Sequence, residues 1–289
     1  MIGNKKKSGD GEGEMTFLQH LEELRWHIIR SVIAVVVGAI VAFILKDFIF
    51  DKVILAPKSP GFITNRLLCR LADAVNAPVL CINQNPLNLI SIKMSGQFTT
   101  HITISLIAGV IMAFPYIFWE FWSFFRPALY EKERKHARGA VMAASSLFII
   151  GILFGYYVIS PLSINFLSSY RVSDLVDNQI NITSYIGSVT SVALSAGLTF
   201  ELPIVVFFLA RIGIITPEFM SKYRRHAIVV VLILAAVITP PDVFSLILVS
   251  IPLVLLYEVS IFIARRVARK REIDNEAAEA ATGAAEKKQ

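Results

Sequence analysis

Six apolar runs separated by short polar stretches set the pattern of this chain. They cover residues 26–45, 102–119, 139–159, 185–210, 227–238 and 243–264. A helix that crosses a bilayer needs about 20 predominantly apolar residues. Lipid admits only helices and closed barrels, because every backbone N–H and C=O must find its partner within the protein. The runs therefore predict an all-α integral membrane fold with six transmembrane helices. The fifth run is short, and Thr239, Pro240, Pro241 and Asp242 follow it at once. Consecutive prolines end a helix, so runs five and six are expected to form a tight hairpin. The uncharged core of run five rises only about 18 Å against roughly 30 Å of hydrocarbon, which calls for a thinned bilayer or snorkelling basic residues.

Composition sharpens this picture. Of 289 residues, 55% are hydrophobic and 17% charged, against about 25% charged in an ordinary soluble domain. The net charge of +6 comes from Lys and Arg gathered in short clusters between the runs. Five lie between runs two and three, four between runs four and five, and five just after run six. Basic residues mark the cytoplasmic side, so both termini are expected inside. These clusters lack the aromatic interleaving and motifs of a nucleic-acid surface. Residues 1–14 show no cleavable signal and are expected to form a disordered tail, as is the polar stretch 271–289. Residues 15–270 make up the membrane domain. No internal repeat of the kind that builds secondary transporters is visible.

Three features carry candidate chemistry. Residues 16–25 read TFLQHLEELR, with Thr16 and Gln19 as a capping box and Phe17, Leu21, Leu24 and Ile28 as one apolar stripe. An interfacial helix leading into the first span is expected. Glu201 stands alone in the fourth run. A carboxylate at that depth costs several kcal/mol and must face a partner, a water cavity or the protein interior. A bond to Thr199 or Ser195 is the plain structural reading; a proton relay or a partner-binding site is the functional one. Cys69 and Cys81 share the long first loop, which lies outside the cytoplasm where disulfides persist; the pair reads as a bridge, with two free thiols as the alternative. No HExxH, Walker, GxSxG or CxxC motif is present, and no enzymatic activity, cofactor or metal is expected.

Four motifs in order, HLEELR before span one, FFRPALYEKERK after span two, FELP in span four and TPPD before span six, resemble the TatC family, the multispanning core of the twin-arginine protein translocase. The resemblance covers roughly residues 15–270. It implies a concave, glove-like six-span bundle in the bacterial inner membrane. It implies a receptor for twin-arginine signal peptides on folded cargo, working with small single-span partner subunits and driven by the proton gradient. Self-association and contact with membrane lipid are implied as well. By the same resemblance Glu23 and Glu133 bind the signal peptide, with Arg25 and Phe124 beside them. Pro57 and Asp242 match positions in the outer loops, and Glu201 matches a buried polar position that meets partner helices. Glu120 departs from the glutamine expected at its position. The loop carrying the two cysteines is longer than is usual, which leaves the fold of residues 58–92 open. A proton-coupled small-solute transporter with Glu201 as its ion site is the rival reading, and a purely structural scaffold is a third.

Adjacent side chains of an extended peptide point to opposite sides. Two neighbouring arginines are thus best gripped by two carboxylates on different segments, as Glu23 and Glu133 are. The planar guanidinium pairs with carboxylate through two hydrogen bonds, which Lys does not reproduce.

Overall fold

The computed structural model describes residues 17–84, 87–125, 137–173, 175, 178–239 and 243–286. The sequence motifs at Thr16, Glu133 and Asp242 lie outside them. Ten α-helices occur among the described residues: α1 (Phe17–Ile44), α2 (Ile63–Val75), α3 (Gly96–Phe125), α4 (Ala137–Phe154), α5 (Ser160–Ser169), α6 (Ile182–Phe200), α7 (Leu202–Arg211), α8 (Pro217–Lys222), α9 (Arg224–Ile238) and α10 (Val243–Glu286).

Five stretches are long and apolar enough to cross a membrane: Leu21–Ile44, Gly96–Phe124, Gly139–Ser169, Ile182–Arg211 and Leu246–Lys270. α9, with 15 residues, rises about 22 Å and falls short of that length. The stripe of residues 17–25 is not a separate interfacial helix. No Gly or Pro separates it from the span, so α1 runs through without a break. α10 likewise passes the end of its apolar run and stays helical to Glu286. Composition predicts disorder over 271–289, but Ala, Glu, Arg and Lys are also the strongest helix formers, and here they extend the helix already begun.

α1 and α3 pack antiparallel. At one end His101 of α3 stacks on Phe43 of α1, with ring centroids 3.9 Å apart. At the other end His27 of α1 meets Glu120 of α3. The two helices cross at Gly38 and Gly109. α4 and α6 also cross closely: a Cβ at Gly151 would come 2.8 Å from the Ala196 carbonyl oxygen. Small residues let backbones approach where lipid supplies no hydrophobic drive between helices. The central core joins Ile159, Val192, Phe200, Val231, Val249 and Leu253, so α9 and α10 are packed against α6.

The third span bends through a π-helical turn, Gly155–Ile159, into α5. Pro161 has no N–H for the Tyr157 carbonyl. That carbonyl instead accepts a hydrogen bond from the Thr64 hydroxyl of α2, and Phe62 stacks on the Tyr157 ring at 5.4 Å. The first loop is thereby seated on the bundle. Asn65, fully buried, donates to the Pro57 and Ser59 carbonyls at 3.1 and 2.8 Å. Asn83, in the left-handed region at φ 51°, donates to Asn65 Oδ1 and to the Pro161 carbonyl. Tyr156 and Tyr185 donate to the Val53 and Ile54 carbonyls. Two short parallel strands, β1 (Leu89–Ile90) and β2 (Ile180–Asn181), tie this loop to the one before α6. The described residues of the segment whose fold was open thus form a cap, with a disulfide between Cys69 and Cys81.

Candidate functional site

The α1–α3 hairpin brings its polar residues to one end. His27 Nδ1 is hydrogen-bonded to Glu120 Oε2, and Arg30 Nη1 stands 4.0 Å from the same oxygen. Glu120 is only 6% exposed, so the pair sits where water screens it little. Phe124 follows Glu120 by one helical turn, and its ring meets the His27 ring edge-on at 6.1 Å. Glu23, half-buried, precedes His27 by one turn and shares its face of α1. Glu23 and Phe124 therefore belong to the same turn level, just beyond the His27–Glu120 pair. Arg25 is exposed and, two residues from Glu23, faces another side of α1. It does not join that level.

His27 and Arg30 are the residues that reading the sequence misses here. Glu120 stands out as a departure, but its partners lie 93 and 90 positions earlier. The available signal is an acid near the end of one span and two basic side chains near the start of the span before it.

Glu201 occupies the break between α6 and α7. Pro203, at the second position of α7, lacks the N–H that would continue the helix ladder. The chain turns through a short step in which the Glu201 amide reaches the Leu198 carbonyl at 3.2 Å. Glu201 is 8% exposed, and neither carboxylate oxygen has a hydrogen-bond partner among the described residues. The Thr199 hydroxyl donates to the Ser195 carbonyl at 2.7 Å, so these two residues satisfy each other and not the acid. Pro57 is buried in the cap, within the turn Ala56–Lys58. Among the described residues no three His, Cys, Asp or Glu side chains converge for a metal.

Long apolar helices joined at their ends, with charged residues paired at one end of a hairpin, define a multi-pass integral membrane protein. The chain belongs to the TatC family of Sec-independent protein translocase proteins: the family profile, described as "Sec-independent protein translocase protein (TatC)", matches residues 19–252. A TatC of Blattabacterium sp. subsp. Periplaneta americana is 40% identical over 262 residues, covering 90% of this chain and 98% of that one. A TatC of Desulforapulum autotrophicum is 35% identical, covering 92% and 90%. The crystal structure of a twin-arginine translocase receptor TatC superimposes with a TM-score of 0.63 at 31% identity, over 86% of this chain and 99% of that one. A second, of the same receptor in the detergent DDM, gives 0.66 at 32% identity. Membership gives the solute-transporter reading no support.

Proposed function

We propose that the chain is the signal-peptide receptor and core of a twin-arginine translocase that exports folded proteins across the bacterial cytoplasmic membrane. In this reading both termini are cytoplasmic, α9 crosses a locally thinned bilayer as the fifth of six spans, and the proton gradient drives transport. The observation that carries the receptor role is the shared level of Glu23 and Phe124 beyond the His27–Glu120 pair. Glu23 takes one arginine of the signal and Glu133, on the segment after α3, takes the other. Phe124 supplies an aromatic face beside them, and Arg25 flanks the site from outside.

A twin-arginine peptide carrying a photocrosslinker tests this. The Glu23→Ala/Glu133→Ala variant is expected to lose most crosslinking, and replacing the peptide's arginines by lysines is expected to do the same in the unaltered protein. Unchanged crosslinking in the double variant rejects the assignment.

Glu201 anchors the transmembrane helix of a small single-span partner through a polar side chain of that helix. Its two buried oxygens, without a hydrogen-bond partner among the described residues, support this reading, since such groups are costly unless bonded. A Glu201→Ala protein that still copurifies with its partners and exports normally counts against it. Asp242 and Pro57 shape the outer turns, anionic lipid meets the basic clusters, and several copies associate.

A further inference from the structure

Three side chains in the seam between α3, α4 and α7 hold buried polar atoms with no hydrogen-bond partner among the described residues: Trp122 Nε1, Ser145 Oγ and both Glu201 oxygens. They are not scattered. Trp122 is 5% exposed and packs against Val141 of α4 and Phe208 of α7, with ring centroids 4.7 Å apart. Ser145 follows Val141 by four residues and so lies one turn along the same face of α4. Phe148 comes three residues after Ser145, and the Glu201 carboxylate lies against its backbone. Trp122, Ser145 and Glu201 thus stand in file, stepping from the His27–Glu120 end of the bundle toward its middle.

Ser145, like Ser163 of α5, is a buried helical hydroxyl with no hydrogen-bond partner among the described residues. Ser31, Ser105, Thr190, Thr199, Thr239 and Ser260 all donate to the carbonyl four residues earlier. Ser145 Oγ does not fold back in this way. The chemistry of the file alternates: an indole N–H that only donates, a hydroxyl that does both, and a carboxyl group that accepts. Along α4, Val141 at the Trp122 contact, Ser145, and Phe148 beside the Glu201 carboxylate follow one another by about one helical turn, roughly 5 Å. That is the span one water bridges between two polar groups, and buried polar atoms of this kind are where internal water resides.

We propose that α3, α4 and α7 enclose a file of internal water that bridges Trp122, Ser145 and Glu201 and hydrates the Glu201 carboxyl from the Trp122 end. This goes beyond the receptor reading and stands independently of it. The file satisfies Glu201 while no partner helix is bound, and offers water for exchange when one arrives.

X-ray radiolytic footprinting of the full chain in lipid nanodiscs tests the proposal, because hydroxyl radicals form wherever water is held. Trp122 is expected to be oxidised about as fast as Trp119 despite its burial. Ser145→Ala is expected to slow Trp122 labelling several-fold while leaving Trp119 and Trp26 unchanged, and Ser145→Thr to retain it. Labelling of Trp122 at background in the unaltered protein overturns the proposal, as does labelling that Ser145→Ala does not alter. The Trp119 and Trp26 rates report whether each variant is folded. Twin-arginine peptide crosslinking, measured on the same samples, reads the receptor assignment separately.

Discussion

Gly109 of α3 lies flush against Ala39 of α1: a Cβ at position 109 would stand 2.6 Å from the Ala39 nitrogen and 2.7 Å from the Val35 carbonyl oxygen. Neither is a side chain that can move aside. Gly109→Leu is therefore expected to force the two helices apart, at a cost of about 1–3 kcal/mol or more. Thermal unfolding in detergent should show a clear fall in Tm. Gly38→Ala, where the nearest atom is 3.0 Å away, should fall less.

The His27–Glu120 pair gives a second expectation. Glu120→Ala leaves the half-buried His27 without its hydrogen-bond partner and the Arg30 guanidinium without the opposite charge nearby, and is expected to cost about 1–3 kcal/mol. Glu120→Gln keeps an oxygen that accepts from His27 and should recover much of the loss. Denaturant unfolding of the two variants side by side measures the difference, and equal stabilities would show the pair to be energetically idle.

In the cap, Asn65 joins the Pro57 turn to Asn83 and, through it, to the carbonyl of Pro161. Asn65→Ala takes the donor from the Pro57 and Ser59 carbonyls and one acceptor from Asn83, an expected loss of about 1–3 kcal/mol. The cap is expected to open before the bundle does. Hydrogen exchange across residues 56–83 should rise sharply, with α4 and α6 little changed.

The disulfide closes a short loop between residues 12 apart. Loops of this size gain about 3 kcal/mol from the cross-link in the chain-entropy account. Cys69→Ser/Cys81→Ser is expected to make the α2 segment sensitive to protease while the spans stay intact. Non-reducing mass spectrometry of the unaltered protein should recover the two cysteines as one linked peptide.

Much of the membrane architecture is legible from residue order, because lipid leaves an apolar run little choice but a helix. The positions where those helices break are less legible: Pro161 and Pro203 each remove one N–H and the chain bends beside both, yet Pro115 and Pro252 sit inside unbroken α3 and α10. The cap is not legible. Its order comes from single bonds between Thr64, Asn65, Asn83 and the third span, and nothing local in the loop announces them. The same holds for His27, which looks like a stray polar residue until Glu120 arrives from 93 positions away. The continuation of α10 escapes for another reason. A stretch rich in Ala, Glu, Lys and Arg suits a solvated helix and a disordered tail equally, and only an upstream helix to extend decides between them.

That continuation sets a length scale for the whole molecule. At 44 residues, α10 measures about 66 Å if straight, more than twice the thickness of a bilayer core. Its last 16 residues alone add about 24 Å beyond Lys270. A probe fixed near Glu286 would ride at the tip of a stiff boom, about four helical turns past the last residue of the apolar span.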